Sequence, residues 1–119
     1  MNAEGEKFER RAAQWLRGRG MRLLARNFRT KLGEIDLVAL DDGCLVFVEV
    51  RVRHNTRFAG AAASVGRDKQ RRLQRTALLF LQQRPDLANF PCRFDVIAFE
   101  PRQFAPGTAL RWIRAAFTT

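Results

Sequence analysis

The sequence predicts an α/β domain in the order α-β-β-β-α-β, a mixed sheet with helices packed on it. Two stretches carry apolar residues at helical spacing, residues 4–19 and 68–83. Between them lie three β-rich runs, and a further one follows the second helix, an order that places helices against a sheet. At 119 residues with 46% hydrophobic content the chain makes one domain, residues 1–119, around a single core.

Each element has its own signal. In residues 4–19, Phe8, Ala12, Trp15 and Leu16 share one helical stripe, and Gly18 and Gly20 are natural stops. Residues 21–28 alternate loosely and read as a strand. Residues 33–40 and 44–52 are β-rich runs split by Asp41-Asp42-Gly43, and Asp-Gly is a strong hairpin signal. In residues 68–83, Leu73, Ala77, Leu78, Phe80 and Leu81 oppose a basic face, and Pro85 ends the helix. Residues 92–99 read as another strand and 110–113 as a short last one. Trp15, Phe47, Phe80 and Phe94 sit at core spacing. Cys44 and Cys92 lie in apolar runs without metal-ligand spacing and read as buried free thiols.

A net charge of +10, with 22 Lys+Arg against 12 Asp+Glu, points to a polyanionic partner. A single histidine, His54, argues against a His-based triad or a His-rich zinc site. No apolar run is long enough to span a membrane and the start lacks a signal-peptide core, so the expected setting is cytoplasmic, without a membrane partner. The charge is segmented. Residues 1–33 carry +6, 34–50 carry −5, 51–84 carry +8 and 85–119 carry +1. An acidic island thus lies between two basic blocks.

The hairpin locates that island. With Asp42-Gly43 as a two-residue turn, Asp41 pairs with Cys44, Asp36 falls opposite Glu49, and Glu34 falls opposite Arg51, which it would orient. Strand alternation puts Glu34, Asp36, Val38 and Leu40 on one face with Leu45, Phe47, Glu49 and Arg51. Ile35, Leu37, Ala39, Val46, Val48 and Val50 form an apolar second face. Two carboxylates about 5 Å apart repel by roughly 3 kcal/mol at an effective dielectric near 20. A bridging divalent cation reverses that sign.

The runs GEIDLVAL and LVFVEVRVR resemble the PD-(D/E)XK nuclease-like superfamily, of restriction-endonuclease-like architecture. More closely, the chain resembles the uncharacterised bacterial YraN-type family, which is similar to archaeal Holliday junction resolvases. The matching stretches are residues 5–9, 27–29, 33–37, 47–53, the run FAGAAASVGRDKQRRL from Phe58, and residues 93–96. The resemblance implies an endonuclease of repair or recombination. It would use Mg²⁺ or Mn²⁺ to hydrolyse phosphodiester bonds in branched or distorted DNA, with a homodimer as the assembly of the resolvase-like relatives.

By the same resemblance Asp36 and Glu49 hold the metal, Glu9 on the first helix completes its sphere, and Arg51 stands where the superfamily has lysine. Arg keeps the charge but does not deprotonate near neutral pH, so Arg51 can clamp a phosphate and cannot act as a base. Lys69 and Gln70 fall where some superfamily members place an auxiliary Lys or Gln. Arg29, Arg53, Arg57, Arg67, Lys69, Gln70, Arg71 and Arg72 are the expected nucleic-acid contacts. Arg57 lies in residues 54–64, which read as a loop following the acidic strand. The alternative is a non-catalytic DNA- or RNA-binding module that retains the nuclease fold.

Overall fold

The computed structural model of the chain describes residues 3–54, 60 and 64–117. Helix α1 (Ala3–Gly18) is followed by strands β1 (Arg22–Thr30), β2 (Gly33–Asp41) and β3 (Cys44–Val52), then helix α2 (Arg67–Gln83), a 3-10 turn at Pro85–Leu87, β4 (Cys92–Pro101) and β5 (Thr108–Phe117). The strands form one sheet in sequence order. β3 and β4 are parallel and joined through α2, as a parallel pair requires, and the other neighbours are antiparallel. The result is a mixed five-stranded sheet with two helices, consistent with an α/β nuclease-like core.

The sheet carries one core on each face. Phe8, Ala12, Ala13 and Leu16 of α1 pack on Leu37, Ala39, Val46, Val48, Ile97 and Phe99. On the other side Leu73, Ala77 and Phe80 of α2 pack on Ile35, Val38, Leu45, Phe47, Phe94 and Val96. The hairpin turn is the one expected from Asp-Gly. Asp42 (φ 48°) and Gly43 (φ 82°) both take the left-handed backbone of a type I′ turn, and Asp41 pairs with Cys44.

Several expectations are corrected. The pairing of β2 with β3 ends at Leu37↔Val48, and β2 beyond that point stays paired with β1. Asn27 adopts φ 53°, and no pair forms between it and Asp36, although Arg26↔Leu37 and Phe28↔Ile35 pair on either side. A left-handed residue interrupts the pleat. Both strands therefore change parity together, and Ile35 packs under α2 with Phe28 instead of joining Leu37 and Ala39. Glu34 accordingly lies opposite Arg29, 3.4 Å from its Nε, and not opposite Arg51.

The last strand spans Thr108–Phe117, well beyond residues 110–113. It is an edge strand interleaved with Arg111 and Arg114, so its apolar signal is diluted. It is held by the fully buried Asp95, whose carboxylate accepts from Arg93 Nε (3.0 Å), Trp112 Nε1 (3.0 Å) and the Ala115 backbone N–H (2.9 Å). Phe47, Phe80 and Phe94 are core residues, whereas Trp15 is 36% exposed at the rim. Cys44 and Cys92 are free, but half-buried and exposed respectively, since both sit at strand starts.

Candidate functional site

The pleat interruption creates a concave, acidic spot. In a continuous hairpin the Val50 N–H would pair with Ile35, because hydrogen-bonded pairs alternate from Asp41/Cys44. Instead it donates to Asp36 Oδ2 at 2.8 Å, so the side chain takes over a ladder bond and is fixed at the end of the pairing. One carboxylate oxygen from each of Glu9, Glu34 and Asp36 lies within 4.8 Å of the others. Glu9 reaches this point from α1 although it is only 4% exposed, and the Asn27 side chain hydrogen-bonds its carboxylate.

The electrostatics are those of crowded acids. Asp36 is pushed up to about 8, first by burial, then by Glu49, with Glu9 and Glu34 adding to the rise and the Val50 N–H opposing it. Glu9 is raised by burial and then by Glu34, against the pull of Arg26, Asn27 and Arg29. Among the described residues, Glu9 Oε1 is buried without a hydrogen bond, and Glu34 Oε1 has only its 3.4 Å ion pair with Arg29 Nε. Buried carboxylate oxygens without a hydrogen bond are costly. Hard oxygen donors in this number suit Mg²⁺ or Mn²⁺, so the residues present fit such an ion.

Glu49, 6% exposed, lies on the α2 side of this cluster. Its Oε1 is 2.9 Å from Lys69 Nζ and 3.7 Å from Arg51 Nη1. The closer cation is thus the lysine in the first turn of α2, not the arginine two residues along β3. Asp36, Glu49, Lys69 and Arg72 line a cleft of about 440 Å³ together with the β1–β2 turn, residues 30–33. That turn is closed by Thr30, whose Oγ1 accepts from the Leu32 and Gly33 N–H groups. A side chain at Gly33 would place Cβ 3.1 Å from Thr76 Oγ1, so glycine lets the turn approach α2 and form the cleft wall.

The remaining expected contacts are dispersed. Arg29 is exposed beside Glu34, while Arg67, Arg71 and Arg72 are exposed on α2, with Arg71 paired to Asp68 at 3.2 Å. Gln70 turns back to the Val65 carbonyl at 2.8 Å, and Arg53 is tucked against Glu100 at 3.3 Å. Arg57 lies outside the described residues, as does most of the 54–64 loop. Sequence reasoning misses Asn27 as a site residue and gives Glu34 mainly a supporting role toward Arg51, with direct metal contact as its second reading. The one usable signal for Asn27 is its type, since asparagine tolerates positive φ.

Fold and site together define an α/β protein with a nuclease-like core whose acidic cluster opens onto a cleft at the edge of a hairpin. The chain belongs to Uncharacterised protein family UPF0102, the YraN family, whose model matches residues 8–99. It is 49% identical over 113 residues to a UPF0102 protein of Pseudomonas putida strain GB-1 and 50% identical over 113 residues to one of Pseudomonas entomophila strain L48. Each match covers 95% of this chain and 91% of the relative. A UPF0102 protein of Alcanivorax borkumensis is 46% identical over the same length, covering 95% of this chain and 90% of its own. Among the described residues no helix is long and apolar enough to cross a membrane.

Proposed function

We propose that this protein is a metal-dependent endonuclease that hydrolyses phosphodiester bonds in branched or distorted DNA. The observation that carries the reading is the convergence of Glu9, Glu34 and Asp36, with Glu9 Oε1 buried without a hydrogen bond, beside Glu49 in an open cleft. A bound Mg²⁺ or Mn²⁺ would supply Lewis acidity and lower the pKa of a water.

Asp36, Glu49 and Glu9 are the ligands we assign, and Glu34 adds a fourth carboxylate at the same point. Lys69 takes the place of the lysine that β3 lacks. Its ammonium already contacts Glu49 and, with three N–H donors, would also hold a water or a phosphate oxygen beside that carboxylate. Arg72, which lines the cleft, and Arg51, 3.7 Å from Glu49, would neutralise the phosphate. A four-way junction has two equivalent strands to cut, which favours two copies acting together.

The test incubates the full chain with four-way junction, flap and linear DNA in Mg²⁺, Mn²⁺ or EDTA, beside Asp36→Asn and Lys69→Met. Cutting is expected only with metal, and each variant should lose about 10²-fold or more in rate, the size of losing one charge-stabilising group. If no substrate is cut and Mn²⁺ gives no heat in calorimetry, the endonuclease reading fails and the chain is a non-catalytic nucleic-acid-binding module.

A further inference from the structure

The far end of α1 carries a second cationic feature that the acidic cleft does not use. Arg19 Cζ lies 4.6 Å from the centroid of the Trp15 ring and 5.9 Å from that of Trp112, and Arg114 Cζ lies 5.2 Å from Trp112. One indole is therefore flanked by two guanidinium groups. Arg19, Asp41, Trp112 and Arg114 line an open depression of about 450 Å³.

The acid in this depression is already committed. Asp41 Oδ2 is 2.8 Å from Arg93 Nη2 and 3.6 Å from Arg114 Nη2, so Arg114 holds only the longer share of it. Arg19, like its exposed neighbours Arg17 and Arg22, makes no salt bridge among the described residues. A cation at a helix C-terminus complements the helix dipole. That accounts for Arg17 or Arg19 at the helix end, but not for Arg19 reaching across to Trp112 on β5, where Arg114 of the same strand also lies over the ring. Stacking on an aromatic face also fixes the guanidinium plane and leaves its in-plane N–H donors turned outward, the geometry that grips a phosphate.

We propose that this depression is a second contact for the phosphate backbone of DNA, gripped by Arg19 and Arg114 on a Trp15/Trp112 platform. Met21 and Trp112 belong with the core on the α1 side of the sheet, whereas Lys69 and Arg72 of α2 line the acidic cleft, so the depression is a contact separate from the cleft. The inference shares with the proposed function the premise that DNA is the partner, and it does not depend on the metal site.

Trp15 and Trp112 are the two tryptophans of the chain, so intrinsic fluorescence reports on this depression directly. The experiment titrates the full chain with a short DNA duplex in EDTA, where no metal-dependent cleavage occurs, at several salt concentrations. The wild type should show a saturable fluorescence change. Arg19→Ala/Arg114→Ala should bind several-fold more weakly, with a salt slope shallower by about 2, one for each phosphate no longer neutralised. Arg19→Lys/Arg114→Lys should keep the slope.

Unchanged affinity and slope in the alanine variant, with native circular dichroism, would overturn the proposal. So would a wild-type duplex titration that binds without any tryptophan response, a readout that stands even if the alanine variant does not fold. Inorganic phosphate reproducing the change at equal phosphate concentration would also overturn it, since the site would then take a free anion. Failure of the cleavage assay with success here would remove the endonuclease reading and leave this contact standing.

Discussion

Asp36 combines three constraints that a surface aspartate never meets together: burial, a backbone N–H bound to one oxygen, and three neighbouring carboxylates. Its folded pKa of about 8 lies far above the value of about 3.9 in an unfolded chain. Between those values the folded protein holds a proton that the unfolded chain has lost, so raising the pH removes stability, by at most about 1.4 kcal/mol per pH unit. The raised Glu9 acts in the same direction. In EDTA the urea midpoint of the wild type should therefore fall between pH 5 and pH 8. Asp36→Asn, which keeps an oxygen for the Val50 N–H, should show a flatter profile and exceed the wild type at pH 8. Parallel profiles for the two proteins would sink this account. Mn²⁺ should raise the wild-type midpoint at pH 8 and leave the variant nearly unmoved, because the ion takes over the role of the proton.

At the scale of elements, the site exists because two strands lose their alternation at the same level. Asn27 in β1 holds the left-handed backbone opposite Asp36, and its side chain reaches Glu9 on α1, so one residue sets both the kink and part of the acid cluster. Asn27→Gly should keep the kink and stay within about 1 kcal/mol of wild-type stability, since glycine adopts positive φ without steric cost. Asn27→Val should cost about 2 kcal/mol or more, because a β-branched residue strains at that φ, as denaturant unfolding would show. Equal stabilities for the two variants would place the kink elsewhere. The hairpin register near the turn was legible in the sequence because Asp42-Gly43 permits few turn geometries, and it brought Asp36 and Glu49 to neighbouring positions. The parity change was not legible, since strand alternation assumes a regular pleat and Ile35 looks equally apolar on either face. The lysine on α2 was visible as a residue but not as the partner of Glu49, a contact made only when the crossover docks on the sheet. β5 was half visible, its signal diluted by the arginines of an exposed edge.

Over the whole molecule, folding makes the surface more one-sided than the composition suggests. Among the described residues, fifteen exposed Lys and Arg face five exposed Asp and Glu, against 22 and 12 in the full chain. The acids are the groups drawn inward. Glu9, Glu49 and Asp95 are buried, and Glu100 is paired with Arg53 and Arg111. The arginines Arg67, Arg71 and Arg75 remain exposed on α2, with Asp68 as the acidic partner of Arg71, and Arg72 is exposed at the cleft. The negative potential of the acid cluster is thus sunk in a cleft whose surroundings are cationic, so a polyanion is drawn to the rim before it meets the carboxylates. A duplex neutralised at six to ten phosphates would lose about 10³- to 10⁵-fold in affinity between 50 and 200 mM salt, through counterion release. Fluorescence anisotropy of labelled DNA in EDTA should show that dependence, and Arg67→Ala/Arg71→Ala/Arg75→Ala should flatten it without affecting the tryptophan response. A wild-type affinity that changes less than about tenfold over this range would mean fewer than two phosphates neutralised. The cationic surface would then serve something other than nucleic acid, and both DNA readings would fall together.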